Sequence, residues 1–206
     1  MKYTPSVNIE YGIDKDFKYI VTPNAQQVIG NIISSFRAGM HTFSLIGTYG
    51  TGKSSFLMAL ERDLNEGTTE LVSDKSVFGK FDGFECLNIL GDYNSLSNLL
   101  ADKLNCGYSL DTKNIFNALS NRYQNCKKQN KLLLIVIDEF GKVLEHASKN
   151  SPEKELYFLQ RLAEFVNTST RQIILLTTLH QNFGAYATGL SETQRNEWTK
   201  VKGRFK

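Results

Sequence analysis

The sequence predicts an α/β fold, a three-layer α-β-α sandwich around a mostly parallel central sheet. Three observations predict it. Short β-prone runs alternate with stretches of helical periodicity along the 206 residues, the pattern of a parallel sheet covered on both faces. The run Leu132 to Ile137 is purely aliphatic, as a central strand buried on both sides requires. A third run, Thr42 to Ile46, passes through a glycine-rich turn straight into a helix-forming segment.

The elements follow in order. Residues 1–23 form a mixed N-terminal segment with a β-prone run, Phe17 to Val21, closed by Thr22-Pro23. Asn24 is expected to cap a helix to about Arg37, with Val28, Ile29, Ile32, Ile33 and Phe36 at helical spacing. Gly39 stops it and the Thr42–Ile46 strand follows. A helix from Ser54 to Leu64 carries Phe56, Leu57, Leu60 and Leu64 on one face, and Gly67 ends it. Residues 67–83 read as a loop or short excursion, and Phe84 to Leu90 as a second strand. Asn94 or Ser95 then caps a helix to about Leu104. Another helix spans Asp111 to Lys128, with Ile115, Phe116, Leu119 and Tyr123 inward and a basic end that suits a helix C-terminus. The aliphatic strand ends at Asp138-Glu139, and a polar patch precedes Ser151-Pro152. There a long helix opens and runs to about Asn167, with proline at a tolerated first-turn position. Ile173 to Thr178 is a further buried strand. Ser191 caps a last helix to about Val201.

The stretch that organises the chain is Gly47-Thr48-Tyr49-Gly50-Thr51-Gly52-Lys53-Ser54-Ser55. Gly47, Gly52, Lys53 and Ser54 satisfy G-x-x-x-x-G-K-[ST], the phosphate-binding P-loop, in the strand-before, helix-after context the motif needs. Glycines permit positive φ and close backbone approach, so successive N–H groups turn inward onto phosphate oxygens. The following helix adds its positive end. Lys53 would reach the β- and γ-phosphates, and the Ser54 hydroxyl would ligate Mg²⁺.

Asp138 and Glu139 are the second signal. A buried strand delivers both to its carboxyl edge, where open α/β sheets bind ligands. One carboxylate there can organise the Mg²⁺ shell around a nucleotide and its neighbour can polarise a water for attack on the γ-phosphate. Asp138-Glu139-Phe140-Gly141 also satisfies the D-x-x-G of GTPases, but no N-K-x-D guanine-reading motif follows. The long spacing between the motifs and the glutamate beside Asp138 favour ATP. No L-S-G-G-Q is present, and the kinase catalytic loop is missing.

Together the two motifs resemble the P-loop ATPases of the additional-strand catalytic-glutamate division, to which AAA+ and STAND ATPases belong, over about residues 24–180. The resemblance implies a P-loop NTPase fold, ATP and Mg²⁺ as ligands, and ATP hydrolysis. Lys53 and Ser54 would be the Walker-A lysine and magnesium-ligating hydroxyl, Asp138 the Walker-B aspartate and Glu139 the catalytic base. It places a strand between the P-loop and Walker-B strands; Ile173–Thr178 fits, making Thr178 or His180 the sensor-like residue. Tyr19 or Val21 would lie against adenine, and Asn88 or Asp92 would contact the catalytic glutamate. Gly203-Arg204-Phe205 is similar to the segment near which an arginine finger reaches a neighbour's γ-phosphate, with Arg195 as the alternative finger. That implies a homo-oligomer or a neighbouring domain. The family core continues into a fifth strand and a helical lid that residues 24–206 do not contain, so we expect a piece of a longer protein.

Composition bounds the rest. A net charge of +3 permits a DNA partner without arguing for one. Cys86, Cys106 and Cys126 form no C-x-x-C pair and read as free thiols of a reducing compartment, the cytoplasm. No segment reads as a membrane span or signal peptide. Two functions remain open: an ATP-hydrolysing module of a larger machine acting on DNA or protein, and a slow-hydrolysing switch or scaffold that controls assembly. A nucleotide or small-molecule kinase is disfavoured by the Asp-Glu pair.

Overall fold

Aliphatic runs flanked by amphipathic helices assemble as the sequence predicts. The computed structural model describes residues 9, 18–67, 70–106, 111–168 and 172–206. Four parallel strands, β1 (Thr42–Ile46), β2 (Gly83–Leu90), β3 (Lys131–Asp138) and β4 (Ile173–Leu179), lie in the order β1-β4-β3-β2. β4 therefore stands between the strand that feeds the glycine-rich loop and the strand that ends in Asp138. Register follows: Ile137 pairs with Thr177, Leu45 with Thr178, and Leu90 with Asp138.

The period of two in β3 sorts its side chains between two cores. Leu132, Leu134 and Val136 pack with α1 (Pro23–Arg37) and α2 (Lys53–Glu66). Leu133, Ile135 and Ile137 pack with α3 (Leu96–Lys103), α4 (Thr112–Lys128), α5 (Phe140–Lys149), α6 (Pro152–Asn167) and α7 (Glu192–Lys202). All of Leu132 to Ile137 are at most 2% exposed, which is why this strand needs no polar face. The result is an α-β-α sandwich. No helix among the described residues is long and apolar enough to cross a membrane, and the three cysteines are free.

Several local expectations change. Thr22, not Asn24, caps α1: its hydroxyl accepts from Ala25 N–H at 3.2 Å, and Pro23 takes the first helical position. Ser95 caps α3, and Ser191 with Gln194 closes a full capping box on α7. Residues 18–22 run without regular structure, so no strand forms across Tyr19–Val21, and Phe17 lies outside the described residues. Lys206 instead pairs with the free edge of β1, Ser44 N–H donating to its carbonyl at 2.7 Å and its own N–H to Thr42 at 3.1 Å. The polar patch after Glu139 is helix α5. Phe140, Val143, Leu144 and Ala147 are all fully buried there, an i, i+3, i+4, i+7 stripe hidden among polar letters.

Candidate active site

The glycine-rich loop leaves β1 at Ile46 and reaches α2 through two left-handed glycines, Gly50 (φ 76°) and Gly52 (φ 80°). Only glycine takes that conformation freely. Gly52 is the N-cap and no side chain caps α2. The first-turn N–H groups, with Ser54 and Ser55 among them, thus receive no side-chain cap, the arrangement in which helix N-termini can bind anions. The Thr51 hydroxyl ties the loop by donating to Thr48 O at 2.8 Å. Lys53 curls back over the loop, its Nζ donating to the carbonyls of Gly47 (2.6 Å) and Thr48 (2.9 Å). Burial lowers its ammonium below the ordinary lysine value, and the nearby charges of Asp138 and Glu139 oppose that shift. The lysine thus sits where both motifs meet.

At the end of β3, Asp138 is buried and Glu139 turns the chain into α5 with a left-handed backbone, φ 55°. Thr178, at the end of β4, fixes both. Its hydroxyl donates to Asp138 Oδ1 at 2.5 Å and accepts from Glu139 N–H at 2.9 Å; Glu139 N–H also reaches Asp138 Oδ1 at 3.0 Å. Its proton is committed to a carboxylate, so the Thr178 hydroxyl holds the Asp138 side chain and the Glu139 amide together. The other sensor candidate, His180, has both ring nitrogens closed off from solvent without a hydrogen-bond partner. Its ring stacks on Tyr49 of the loop, centroids 3.6 Å apart. Burial, then the charge of Lys53, pushes this imidazole below its ordinary value, against the pull of Glu139 and Asp138.

Two glycines let this corner close. A Cβ on Gly91, just past β2, would lie 2.5 Å from the Glu139 carbonyl oxygen and 2.8 Å from that of Asp138. Gly91 N–H itself donates to Asp138 O at 2.7 Å. A Cβ on Gly141 would lie 2.4 Å from the Tyr186 hydroxyl. The D-x-x-G resemblance thus has a packing cause: Gly141 makes room for Tyr186.

A cavity of about 720 Å³ opens beside the loop, within the usual range for small-ligand sites. Gly47, Gly52 and Lys53 line it, as do Tyr19, Val28 and Ile32. Tyr19 therefore lines this cavity, whereas Val21 packs against the core on that side of the sheet and does not line it.

Other predicted site residues do not join this centre. Asn88 turns to α2 and donates to Glu61 Oε2 at 2.8 Å, so it does not contact Glu139. Arg204 binds Glu164 Oε1 at 2.7 Å and the Lys200 carbonyl at 2.9 Å. Its own carbonyl accepts from Thr42 Oγ1 at the start of β1, the end opposite the loop. Arg195 lies on α7. Sequence reasoning missed Lys142, whose Nζ lies 2.5 Å from Glu139 Oε2; the i, i+3 spacing was legible only once α5 was seen as a helix.

Among the described residues no three His, Cys, Asp or Glu side chains gather to hold a metal. Ser54 and Asp138 offer oxygen donors alone, which suits Mg²⁺, a hard cation that completes its shell with phosphate and water.

No protein-family model matches the sequence, and no curated protein matches it. Solved structures do. The Aeropyrum pernix ORC2 protein in its ADPNP-ADP complexes is similar at TM-score 0.52 and 15% identity, over 89% of this chain and 48% of that one. The ADP form of that protein gives 0.51 and 14%, over 94% and 49%. The chain spans about half the length of these structures. The likeness is one of fold, the P-loop nucleotide-binding α/β fold.

Proposed function

We propose that this chain is an ATP-binding and ATP-hydrolysing module of AAA+ or STAND type, built into a larger machine that acts on DNA or protein. The observation that carries it is the Thr178 bridge, which locks Asp138 and Glu139 together beside the lysine of an uncapped glycine loop. The triphosphate lies along the loop, with Lys53 leaving the Gly47 and Thr48 carbonyls to meet the β- and γ-oxygens. The base enters the cavity at Tyr19. Ser54 and Asp138 would hold Mg²⁺, which supplies charge neutralisation on the phosphates when bound. Glu139 takes the proton of the attacking water as that oxygen bonds to the γ-phosphorus, and the bridging oxygen leaves with ADP.

The test is a pair of variants assayed with Mg·ATP. Glu139→Gln keeps nucleotide binding and loses about 10²–10⁴-fold in turnover, because geometry is kept and basicity is not. Lys53→Ala loses binding itself. Near-normal turnover in Glu139→Gln sinks the assignment. Comparing rates with and without duplex DNA separates a DNA client from a protein client.

The second reading, a slow-hydrolysing switch that controls assembly, is favoured by one observation: the Glu139 carboxylate is engaged by Lys142. A single-turnover rate far below that of nucleotide exchange supports it.

A further inference from the structure

The Lys142 ion pair has a geometry that bears on how Glu139 is used. The Glu139 backbone is fixed, its N–H shared between Asp138 Oδ1 and Thr178 Oγ1. Only its side chain is free to turn. In this structure that side chain meets Lys142 Nζ at 2.5 Å, one turn along α5. The other nearby cation, Lys53, is occupied by loop carbonyls. A carboxylate oxygen that accepts from an ammonium is not available to a water proton.

We infer that Lys142 is a latch on Glu139, one that must let go before Glu139 can swing to the lytic water. The inference rests on the reading of Glu139 as the general base. It makes Lys142 a positioning residue that acts through Glu139 and touches no phosphate.

Single-turnover hydrolysis of Mg·ATP by the full chain tests it, together with nucleotide affinity. Lys142→Met keeps the aliphatic stem and removes the charge. It raises the rate about two- to five-fold, the span expected of releasing one partly exposed ion pair, with affinity unchanged within about two-fold. A readout independent of turnover is the side-chain ammonium resonance of Lys142. In nucleotide-free protein it is protected and visible by NMR, and it disappears in Glu139→Gln. A slowed Glu139→Gln combined with an unchanged or slowed Lys142→Met overturns the latch alone. So does an unprotected Lys142 ammonium in the free protein. Normal turnover in Glu139→Gln overturns the base assignment and the latch with it.

Discussion

Thr178 shows how much one hydroxyl can organise. It is 1% exposed and makes two hydrogen bonds to the residues proposed to hold metal and to move the proton. Thr178→Val keeps the shape but removes the buried bond to the Asp138 carboxylate and leaves the Glu139 amide only its bond to Asp138 Oδ1, so it should cost about 1–3 kcal/mol in urea unfolding and weaken Mg²⁺-dependent nucleotide binding. Thr178→Ser should keep both. The sequence placed Thr178 correctly at a strand end, because the aliphatic run before it is unambiguous. Its partner was not legible, since Asp138 lies forty residues earlier and meets it only through the β3–β4 register. His41 is a different case. It is buried, its Nδ1 lies 3.1 Å from Ile173 O, and burial lowers its pKa despite that bond. The unfolded chain then binds the proton more readily than the folded one. Stability is full above the ordinary imidazole value and falls as pH drops below it, levelling off once the folded pKa is passed. His41→Phe should flatten the pH dependence of the urea midpoint in that window.

At the scale of elements, helix α5 carries the lesson. Its buried stripe Phe140, Val143, Leu144 and Ala147 is interrupted by Lys142, Glu145 and His146, and an Asp-Glu start looks like the opening of a loop. Three-dimensional context decided it, because the β4 end and the single helical turn Phe183–Ala187 cover that stripe. With α5 unseen, the Lys142–Glu139 pair could not be seen either. The glycine pair at this corner gives a prediction at the same scale. Gly141→Ala collides with the Tyr186 hydroxyl and ring, and overpacking of this kind costs about 1–3 kcal/mol. Tyr186→Leu in the same chain should recover most of that in thermal unfolding, a coupling that an unrelated defect would not show. Gly91→Ala meets backbone instead of a side-chain tip, so no single neighbour can relieve it. It should depress turnover as well as stability, because the displaced atoms belong to Asp138 and Glu139.

Across the whole molecule, the layering was legible because parallel strands advertise themselves by composition, and the P-loop because its chemistry admits few residue types. The edge of the sheet was not. A β-prone run at Tyr19–Val21 proved irregular and instead borders the cavity through Tyr19, while Lys206 pairs with β1. Nucleotide binding should raise the melting temperature in proportion to the logarithm of its concentration once saturating, an effect absent in Lys53→Ala. Arg204 belongs to this scale too. To serve a neighbouring molecule it must release Glu164. Arg204→Ala should therefore spare nucleotide affinity while abolishing any hydrolysis that depends on protein concentration. The anchoring of that region has a mechanical side. Asn167 Nδ2 and the Arg204 carbonyl both grip Thr42 Oγ1, and five residues further on β1 becomes the phosphate loop. A strand of that length is a stiff strut of roughly 17 Å. A displacement of residues 204–206 should therefore reach Gly47 along the strut, a lever arm whose far end is the glycine-rich loop.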